Sequence, residues 1–224
     1  MKAITKPALG AGIYTVPDIA RILNLPYAQV SRWVNQYFDQ RLGRKFTDRY
    51  TWTDGKSKAV NFHTLVELYT FFRLREVGVR THVILEAHEK LAEHFKTAFP
   101  FALSSVLQNL SSDGKRIYFK FDADILCTLD AANQLNLKFI EGFFKKLDFD
   151  DSELAQRLWP LGRDRSIVID PDHQFGQPTI AGSNVLPITI YNMHKAGESI
   201  ERIASLYELT RIQVEDSIEY CKVA

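Results

Sequence analysis

Residues 13–38, with the sequence IYTVPDIARILNLPYAQVSRWVNQYF, decide the fold of the N-terminal part of the chain. Pro17 suits the first turn of a helix, because its missing N–H would have no partner there. The apolar residues that follow it recur at helical spacing: Ile19, Ala20, Ile22 and Leu23. Asn24-Leu25-Pro26 ends this helix, and Pro26 can begin the next one. The pattern predicts two short helices joined by a tight turn, as in a helix-turn-helix.

The second predicted helix has one apolar side and one polar side. Its apolar side chains recur at i, i+3, i+4 and i+7: Val30, Trp33, Val34 and Tyr37. Its polar side carries Gln29, Ser31, Arg32, Asn35 and Gln36. Arginine can pair bidentately with guanine, and glutamine or asparagine with adenine. We therefore expect Gln29, Arg32 and Asn35 to contact bases, with Ser31 beside them, unless the segment is a plain helical hairpin with a solvated polar face.

A basic hairpin is predicted directly after these helices. Thr51-Trp52-Thr53 and Ala59-Val60-Asn61-Phe62 flank Asp54-Gly55-Lys56-Ser57, which is a strong hairpin-turn signal. A basic hairpin after a helix-turn-helix is typical of a wing that lies along the DNA phosphates and makes binding salt-dependent. The predicted phosphate contacts are Arg44, Lys45, Arg49, Lys56 and Lys58.

The charge distribution favours the same interpretation. The 224 residues include 28 Lys+Arg and 27 Asp+Glu, for a net charge of +1. Residues 1–62 carry +6, residues 63–165 carry −1 and residues 166–224 carry −4. A basic head on a near-neutral protein is expected of a polyanion-binding module, although chance clustering on a solvated face would give the same count.

Two strongly apolar helices are predicted after the wing, one over residues 65–74 and one over residues 83–95, with Gly78 between them. His82, His88 and His94 are spaced by six residues, so their rings do not lie on adjacent turns of one helix face. We interpret them as surface histidines rather than metal ligands.

The N-terminal segment is similar to the MerR family of transcription regulators. The motifs that carry the similarity are Tyr14-Thr15-Val16, Ile19-Ala20, Leu23-Asn24-Leu25, Val30-Ser31-Arg32-Trp33, Ala59-Val60-Asn61-Phe62, Leu65 to Leu68 and Arg73 to Val79. The similarity covers about residues 13–95 and departs from the family spacing between Val34 and Tyr50. It implies a dimer that binds a near-palindromic operator. It does not imply the family's cysteine metal sensor, because the first 126 residues contain no cysteine.

The middle of the chain predicts a small antiparallel sheet of three or four short strands. Its candidate strands are the loosely alternating residues 104–110, then residues 116–121 and 125–129. A helix with a large apolar face, from Phe139 to Leu147, follows and either packs on this sheet or forms a partner interface. We interpret the acidic cluster of Asp148, Asp150, Asp151 and Glu153 as solvated turn caps rather than a catalytic metal site.

The C-terminal part predicts a strand, a tight loop and three helices. Residues 166–169 form the strand, and Gly176-Gln177-Pro178-Thr179-Ile180-Ala181-Gly182 forms an extended loop or hairpin without a phosphate-binding motif. A helix from Ile188 ends at Gly197, and Ser199 and Thr210 can cap two further helices. This last pair resembles a helix-turn-helix but is acidic, which disfavours phosphate contact and favours protein interaction or dimerisation.

Residues 165–221 are similar to the C-terminal domain of VapB-type antitoxins that accompany PIN-domain ribonucleases. The matching motifs are Ile169-Asp170-Pro171, the loop from Gly176 to Gly182, Ser199 to Ala204, Tyr207 and Gln213-Val214. The family often has arginine two places after the second loop glycine, where this chain has Asn184. The similarity implies an antitoxin whose partner is a PIN-type ribonuclease toxin.

Together these observations predict an α+β, mainly helical protein with three parts. Residues 1–98 are expected to form a MerR-like winged helix-turn-helix, residues 99–160 a β-containing connector or dimerisation region, and residues 161–224 an antitoxin-type, helix-turn-helix-like domain. The expected function is a non-enzymatic, homodimeric antitoxin of a type II toxin-antitoxin system that binds operator DNA and neutralises the toxin. The alternative is a stand-alone MerR-like regulator with a ligand-binding or dimerisation domain.

Several protein classes are disfavoured by what the sequence lacks. Cys127 and Cys221 have no CxxC or Cys/His ligand spacing, so neither a disulfide scaffold nor a structural zinc site is expected. No apolar run approaches the roughly 18 residues of a membrane span, and no signal peptide is recognisable. We found no constellation of residues typical of an enzyme that acts on nucleic acid, and we expect no cofactor and a cytoplasmic location.

Overall fold

A computed structural model describes residues 11–42, 51–54, 57–112, 117–119 and 138–223. The described chain has an α+β fold, as predicted, with strands paired in three antiparallel sheets. Its first elements are β1 (Tyr14–Thr15), α1 (Val16–Ile22), α2 (Tyr27–Trp33), a π-helix (Val34–Arg41) that continues α2, β2 (Thr51–Asp54) and β3 (Ser57–Val60). The two short helices lie where the sequence predicts them, and so does the hairpin, except that its second strand ends at Val60 and the predicted extension over Asn61 and Phe62 is wrong, because Asn61 caps the next helix.

Local signals define the first helix. The Asp18 backbone N–H donates to the Thr15 hydroxyl, and the Asp18 carboxylate accepts from the Thr15 N–H, so the two residues form a capping box. Asn24 adopts a left-handed conformation with φ of 51°, and the Leu25 N–H donates to the Ala20 carbonyl. The predicted break between α1 and α2 is confirmed. Strand β1 is an addition, because the sequence showed only a short apolar lead-in there; it pairs with β3.

Two long helices follow the hairpin: α3 (Phe62–Glu76) and α4 (Thr81–Phe95). Asn61 caps α3 by accepting from the Thr64 N–H, and Gly78 has a φ of +96° between the helices. The interpretation of His88 as a surface residue is wrong, because His88 is 1% exposed and its Nε2 lies 2.9 Å from Glu67 Oε2. His82 and His94 are exposed as expected.

The middle segment differs most from the sequence prediction. It contains a 3₁₀ turn (Pro100–Ala102), α5 (Ser104–Asn109), β4 (Leu110–Ser112), β5 (Ile117–Phe119) and α6 (Lys138–Phe144). Residues 104–109 are helical rather than extended, because a short apolar run fits either period and Val106 and Leu107 are buried as helical neighbours. The predicted strand at 125–129, with Cys127, lies outside the described residues.

Helix α6 packs into the main core rather than forming a free interface. Phe143 is buried, and its ring stacks on Tyr69 of α3 with centroids 3.8 Å apart. The helix ends at Phe144, and Leu147 begins a strand, so the predicted extension of this helix to Leu147 is wrong. The intervening turn is closed by the Lys146 N–H, which donates to the Phe143 carbonyl.

A four-stranded antiparallel sheet begins the C-terminal part. Its strands follow the order β6 (Leu147–Phe149), β7 (Ala155–Leu158), β8 (Ile167–Ile169) and β9 (Pro178–Ile180). Three helices follow: α7 (Pro187–Lys195), α8 (Ile200–Tyr207) and α9 (Arg211–Val223). Ser199 caps α8, and the Thr210 hydroxyl accepts from the Gln213 N–H, as predicted. These helices share a second core with the sheet, made of Ile167, Ile180, Ile190, Ile203, Val214, Ile218 and Tyr220.

Strand β1 and the residue before it contact the 3₁₀ turn (Gln174–Gly176) that connects β8 and β9 in the C-terminal part. The Ile13 N–H donates to the Phe175 carbonyl at 2.9 Å, and the fully buried Tyr14 ring lies against Gly176. Burial raises the pKa of the Tyr14 phenol, so this side chain is a neutral packing element. Within the described ranges, every helix is too short or too polar to cross a membrane.

Candidate functional site

The outer side of α2 and the π-helix is a continuous polar surface. Ala28, Arg32 and Gln36 recur every four residues and are exposed, while Val30 and Trp33 face the core. Trp33 packs edge-on against Phe71 of α3, with ring centroids 4.9 Å apart. The apolar side of this helix is therefore held by α3, and its polar side is open to a partner.

The three predicted base contacts, and Ser31 beside them, differ in how accessible they are. Arg32 is exposed, whereas Gln29 and Ser31 are half-buried. The Asn35 amide turns back along its own helix, where its Nδ2 donates to the Ser31 carbonyl at 2.7 Å. Arg32 is thus the predicted base contact that needs no rearrangement to reach a ligand, and Asn35 would first have to leave its intrahelical bond.

Tyr27 is a functional candidate that the sequence analysis missed. It is the first residue of α2 and is 58% exposed. The N-terminal residues of a recognition helix contact base edges in helix-turn-helix complexes, and a tyrosine offers both a ring and a hydroxyl for such contacts. Its place directly after Pro26, at a helix start, was the signal that could have identified it.

One carboxylate joins the helical surface to the hairpin. Asp39, near the end of the π-helix, accepts from the Thr51 hydroxyl at 2.6 Å and from the Lys58 ammonium at 2.5 Å. Thr51 lies in β2 and Lys58 lies in β3, so Asp39 contacts both strands of the hairpin. Lys58, a predicted phosphate contact, therefore has a protein partner. The sequence alone does not indicate this role, because both partners of Asp39 lie 12 or more residues away along the chain.

The remaining predicted phosphate contacts, Arg44, Lys45, Arg49 and Lys56, lie outside the described residues. They belong to the segments at 43–50 and 55–56 that adjoin the described strands. A further basic residue of the π-helix, Arg41, forms an ion pair with Glu89 of α4 at 3.4 Å. The described part of this candidate interface thus consists of the exposed helix face and the two strands of the hairpin.

The buried titratable pair in the core is structural. Glu67 Oε1 accepts from the Phe101 N–H at 2.7 Å, and Oε2 faces His88. Burial raises the pKa of the Glu67 carboxyl, while His88 acts in the opposite direction. The pair ties α3 and α4 to the 3₁₀ turn and has no access to solvent. Among the described residues, no three His, Cys, Asp or Glu side chains are grouped to hold a metal ion.

Within the acidic cluster of the middle segment, Asp150 is a turn cap, as predicted. The Asp150 carboxylate accepts from the Ser152 and Leu154 N–H groups, which lowers its pKa against the opposing effect of burial. The Asp148 carboxylate accepts from the Trp159 indole N–H at 2.7 Å. The Asp150 contacts close the turn between β6 and β7. The interpretation of Asp148 as a solvated turn cap is wrong, because Asp148 is half-buried within β6 and also pairs with Arg163 at 3.1 Å.

A second concave surface lies on the C-terminal sheet. It is a cleft of about 480 Å³, within the size range of small-molecule sites, and its lining includes Arg157, Trp159, Asp170, His173, Thr179 and Asn184. Arg157 and Asp170 form an ion pair at 2.7 Å across adjacent strands, and the His173 ring is 3.2 Å from the Ser183 carbonyl. Thr179, Ala181 and Gly182 of the Pro/Gly loop form one wall, and with Asp170 they are the residues of the antitoxin-like motifs that line this cleft.

Comparison with known proteins places distant relatives along nearly the whole chain. The family described as "Protein of unknown function (DUF433)" matches residues 167–221. "Uncharacterized protein Rv2308" of Mycobacterium tuberculosis is 26% identical over 218 residues, which is 94% of this chain and 90% of that protein. "Putative antitoxin VapB45" of the same organism is 24% identical over 226 residues, which is 92% of each chain.

The fold also has a counterpart of known structure. The crystal structure of Rv2018 from Mycobacterium tuberculosis is similar to this chain with a TM-score of 0.66 and 18% sequence identity. The similarity covers 92% of this chain and 96% of that one. The two proteins therefore share an overall fold over most of their length.

Proposed function

We propose that this protein is an antitoxin of a type II toxin-antitoxin system that binds operator DNA through its N-terminal part. The toxin-antitoxin role is supported by the relative named "Putative antitoxin VapB45", which aligns along 92% of both chains. The matched DUF433 segment coincides with the residues that resemble the VapB-type C-terminal domain. In this proposal the protein is a non-enzymatic homodimer, and its partner is a PIN-type ribonuclease toxin.

The observation that carries the DNA-binding proposal is the exposed face of α2 beside an anchored basic hairpin. Arg32 projects from a helix whose opposite side is packed on α3, and the hairpin that follows is joined to the same helix through Asp39. We assign base contacts to Gln29, Arg32 and Asn35, with Ser31 beside them. Of the five predicted phosphate contacts, Arg44, Lys45, Arg49 and Lys56 keep that assignment, whereas Lys58 is bonded to Asp39. All five lie in residues 1–62, whose net charge is +6.

We assign one role to each of the three parts of the chain that the sequence predicts. Residues 1–98 form the winged helix-turn-helix, residues 99–160 the connector or dimerisation region, and residues 161–224 the antitoxin-type domain. The basic first part binds the operator. The last part binds a protein partner, and its residues 166–224 carry a net charge of −4.

DNA binding is tested with a duplex that carries the region upstream of the protein's own gene. Arg32→Ala should weaken binding to this duplex by about 1–3 kcal/mol and relax its sequence preference, because a bidentate guanine contact is lost. Arg202→Ala, which removes an exposed arginine from α8, is the matched control and should leave binding unchanged. Equal losses in the two variants would contradict the assignment of Arg32.

The toxin-antitoxin role is tested with the product of the neighbouring gene. Co-expression should yield a complex that survives purification, and the protein should relieve the growth arrest caused by that product alone. A chain that neither binds the product nor relieves its toxicity would refute the antitoxin assignment while leaving the DNA-binding proposal intact.

A second candidate function is a stand-alone MerR-like regulator that responds to a small ligand. The cleft of about 480 Å³ on the C-terminal sheet favours it, because its volume and mixed lining suit a small molecule. This candidate requires a ligand that changes operator affinity in the absence of any partner protein. Absence of a toxin gene beside the operon would favour it over the antitoxin.

A further inference from the structure

The strands of the hairpin are held from two sides. On one side β3 pairs with β1, so that Thr15 lies opposite Ala59, and β1 leads directly into α1. On the other side the Asp39 carboxylate accepts hydrogen bonds from Thr51 in β2 and Lys58 in β3. The hairpin is thereby connected both to the start of the first helix and to the end of the second.

The Asp39 contacts are suited to hold the hairpin in one orientation relative to the π-helix. Each carboxylate oxygen has its own donor: Oδ1 receives the Thr51 hydroxyl at 2.6 Å, and Oδ2 receives the Lys58 ammonium at 2.5 Å. Thr51 is buried, and the side chains of Lys58 and Asp39 are 26% and 38% exposed. Charge-assisted hydrogen bonds in such partly buried sites are shorter and stronger than neutral ones.

The same contacts change the electrostatic role of Lys58. An ammonium bonded to a carboxylate is already neutralised, so it releases no counterion from a neighbouring phosphate. The carboxylate is neutralised as well, which removes the repulsion that a free acid would exert beside DNA. Through its bond to Asp39, Lys58 therefore acts as an internal tie between the π-helix and the hairpin.

We propose that Asp39 is the positioning residue of the DNA interface, which sets the hairpin against the Arg32 face by binding Thr51 and Lys58. The proposal rests on the DNA-binding function proposed above and separates the residues that position the hairpin from those that contact phosphate. Asp39 and Lys58 determine where the wing lies, and the other basic residues of the wing supply the phosphate contacts.

The test measures affinity against salt concentration for the full-length protein, using fluorescence anisotropy. Two labelled duplexes are compared: the region upstream of the protein's own gene and a scrambled sequence of equal composition. The operator preference is the ratio of the two affinities. The salt slope on the scrambled duplex counts phosphate contacts, at about 0.9 per contact. Chemical unfolding of each variant is measured in parallel.

Each variant has a distinct expected result. Asp39→Asn frees Lys58, so the salt slope should steepen by about 0.9 while the operator preference falls by about tenfold or more. Lys58→Gln should lower the preference and leave the slope unchanged. Thr51→Val should lower the preference without changing charge or slope, and Lys58→Arg, which keeps the ion pair, should retain both. Glu215→Gln, with the same charge change as Asp39→Asn but on α9, is the control for net charge.

The outcomes separate this proposal from the one on which it rests. A wild-type protein that binds neither duplex refutes DNA binding itself, and the positioning role with it. A wild-type protein that prefers its upstream region while Asp39→Asn and Thr51→Val keep that preference refutes only the role of Asp39. A slope that becomes shallower by about 0.9 in Lys58→Gln shows that Lys58 contacts phosphate directly and overturns the internal tie.

Discussion

Replacing Gly176 by alanine should disrupt the contact between the N-terminal strand and the turn that connects β8 and β9. Gly176 has a φ of +82°, and a Cβ built on it would lie 2.1 Å from the Tyr14 hydroxyl oxygen and 2.6 Å from Cζ of the same ring. Tyr14 is fully buried and cannot swing into solvent without opening the core. The preceding residue, Phe175, has a φ of 56° and accepts the Ile13 N–H, so the backbone has little freedom to move away.

The structure allows the cost to be divided into two parts. A left-handed backbone costs an alanine about 1–2 kcal/mol relative to glycine. Overlap with a buried side chain in a packed core typically adds about 1–3 kcal/mol. Gly176→Ala should therefore lower the free energy of unfolding by about 2–5 kcal/mol. Gly182→Ala, at a φ of +77° with no atom within 4 Å of its Cβ, should show only the backbone part.

The assay is urea unfolding followed by tryptophan fluorescence, with Gly142→Ala as the third member of the series. Gly142 lies in α6 with open space around its Cβ, so alanine should be neutral or stabilising by up to about 1 kcal/mol. Equal losses for Gly176→Ala and Gly182→Ala would refute the reasoning, because they would show that Tyr14 does not pack against Gly176 as the structure has it.

Two further predictions concern buried carboxylates. Glu67→Ala should lower the free energy of unfolding by about 3–5 kcal/mol, because it leaves the Phe101 N–H and the His88 ring without their buried partner. Glu67→Gln, which keeps an acceptor for Phe101, should cost less, and a larger cost for glutamine would contradict this explanation. Burial acts to raise the pKa of Asp216, but the Ser166 N–H and the Arg165 guanidinium lower it from its ordinary 3.8. Because the pKa is depressed in the folded state, this stabilisation is present above pH 3.8 and is lost as the pH falls through the folded-state pKa. Asp216→Asn should therefore be less stable than wild type at pH 7, by about 1–3 kcal/mol, and the gap should narrow towards about pH 3 in unfolding measurements. If the stability difference between Asp216→Asn and wild type persists unchanged at low pH, the contacts of Asp216 are not ionic.

The parts of the fold that the sequence predicts correctly depend on neighbours in the chain. Proline at a helix start, a capping hydroxyl before a helix and glycine between two helices each act over one turn of backbone. Pro17, Ser199, Thr210 and Gly78 therefore appear in the structure in their predicted roles. The hairpin strands at residues 51–54 and 57–60 follow for the same reason, since turn chemistry sets their pairing.

The errors arise where a pattern is short or where burial decides. Residues 104–109 are too few to distinguish a helical from an extended period, and their packing selects the helix. The spacing of His82, His88 and His94 does not indicate which of the three rings is buried. His88 is enclosed because the turn at Pro100–Ala102 and Glu67 of α3 both pack on α4 at that point.

The sequence by itself thus determined the local elements of this protein, the polar face that carries Arg32 and the separation of a basic head from an acidic tail. Only the tertiary structure decided which side chains meet across those elements. Asp39 joins both strands of the hairpin, Asn35 bonds back to its own helix, and Tyr14 lies against Gly176 in the turn between β8 and β9. Capping and periodicity act through adjacent backbone groups and are visible in the chain. The choice of a partner far away in sequence depends on how whole elements pack, which no local pattern specifies.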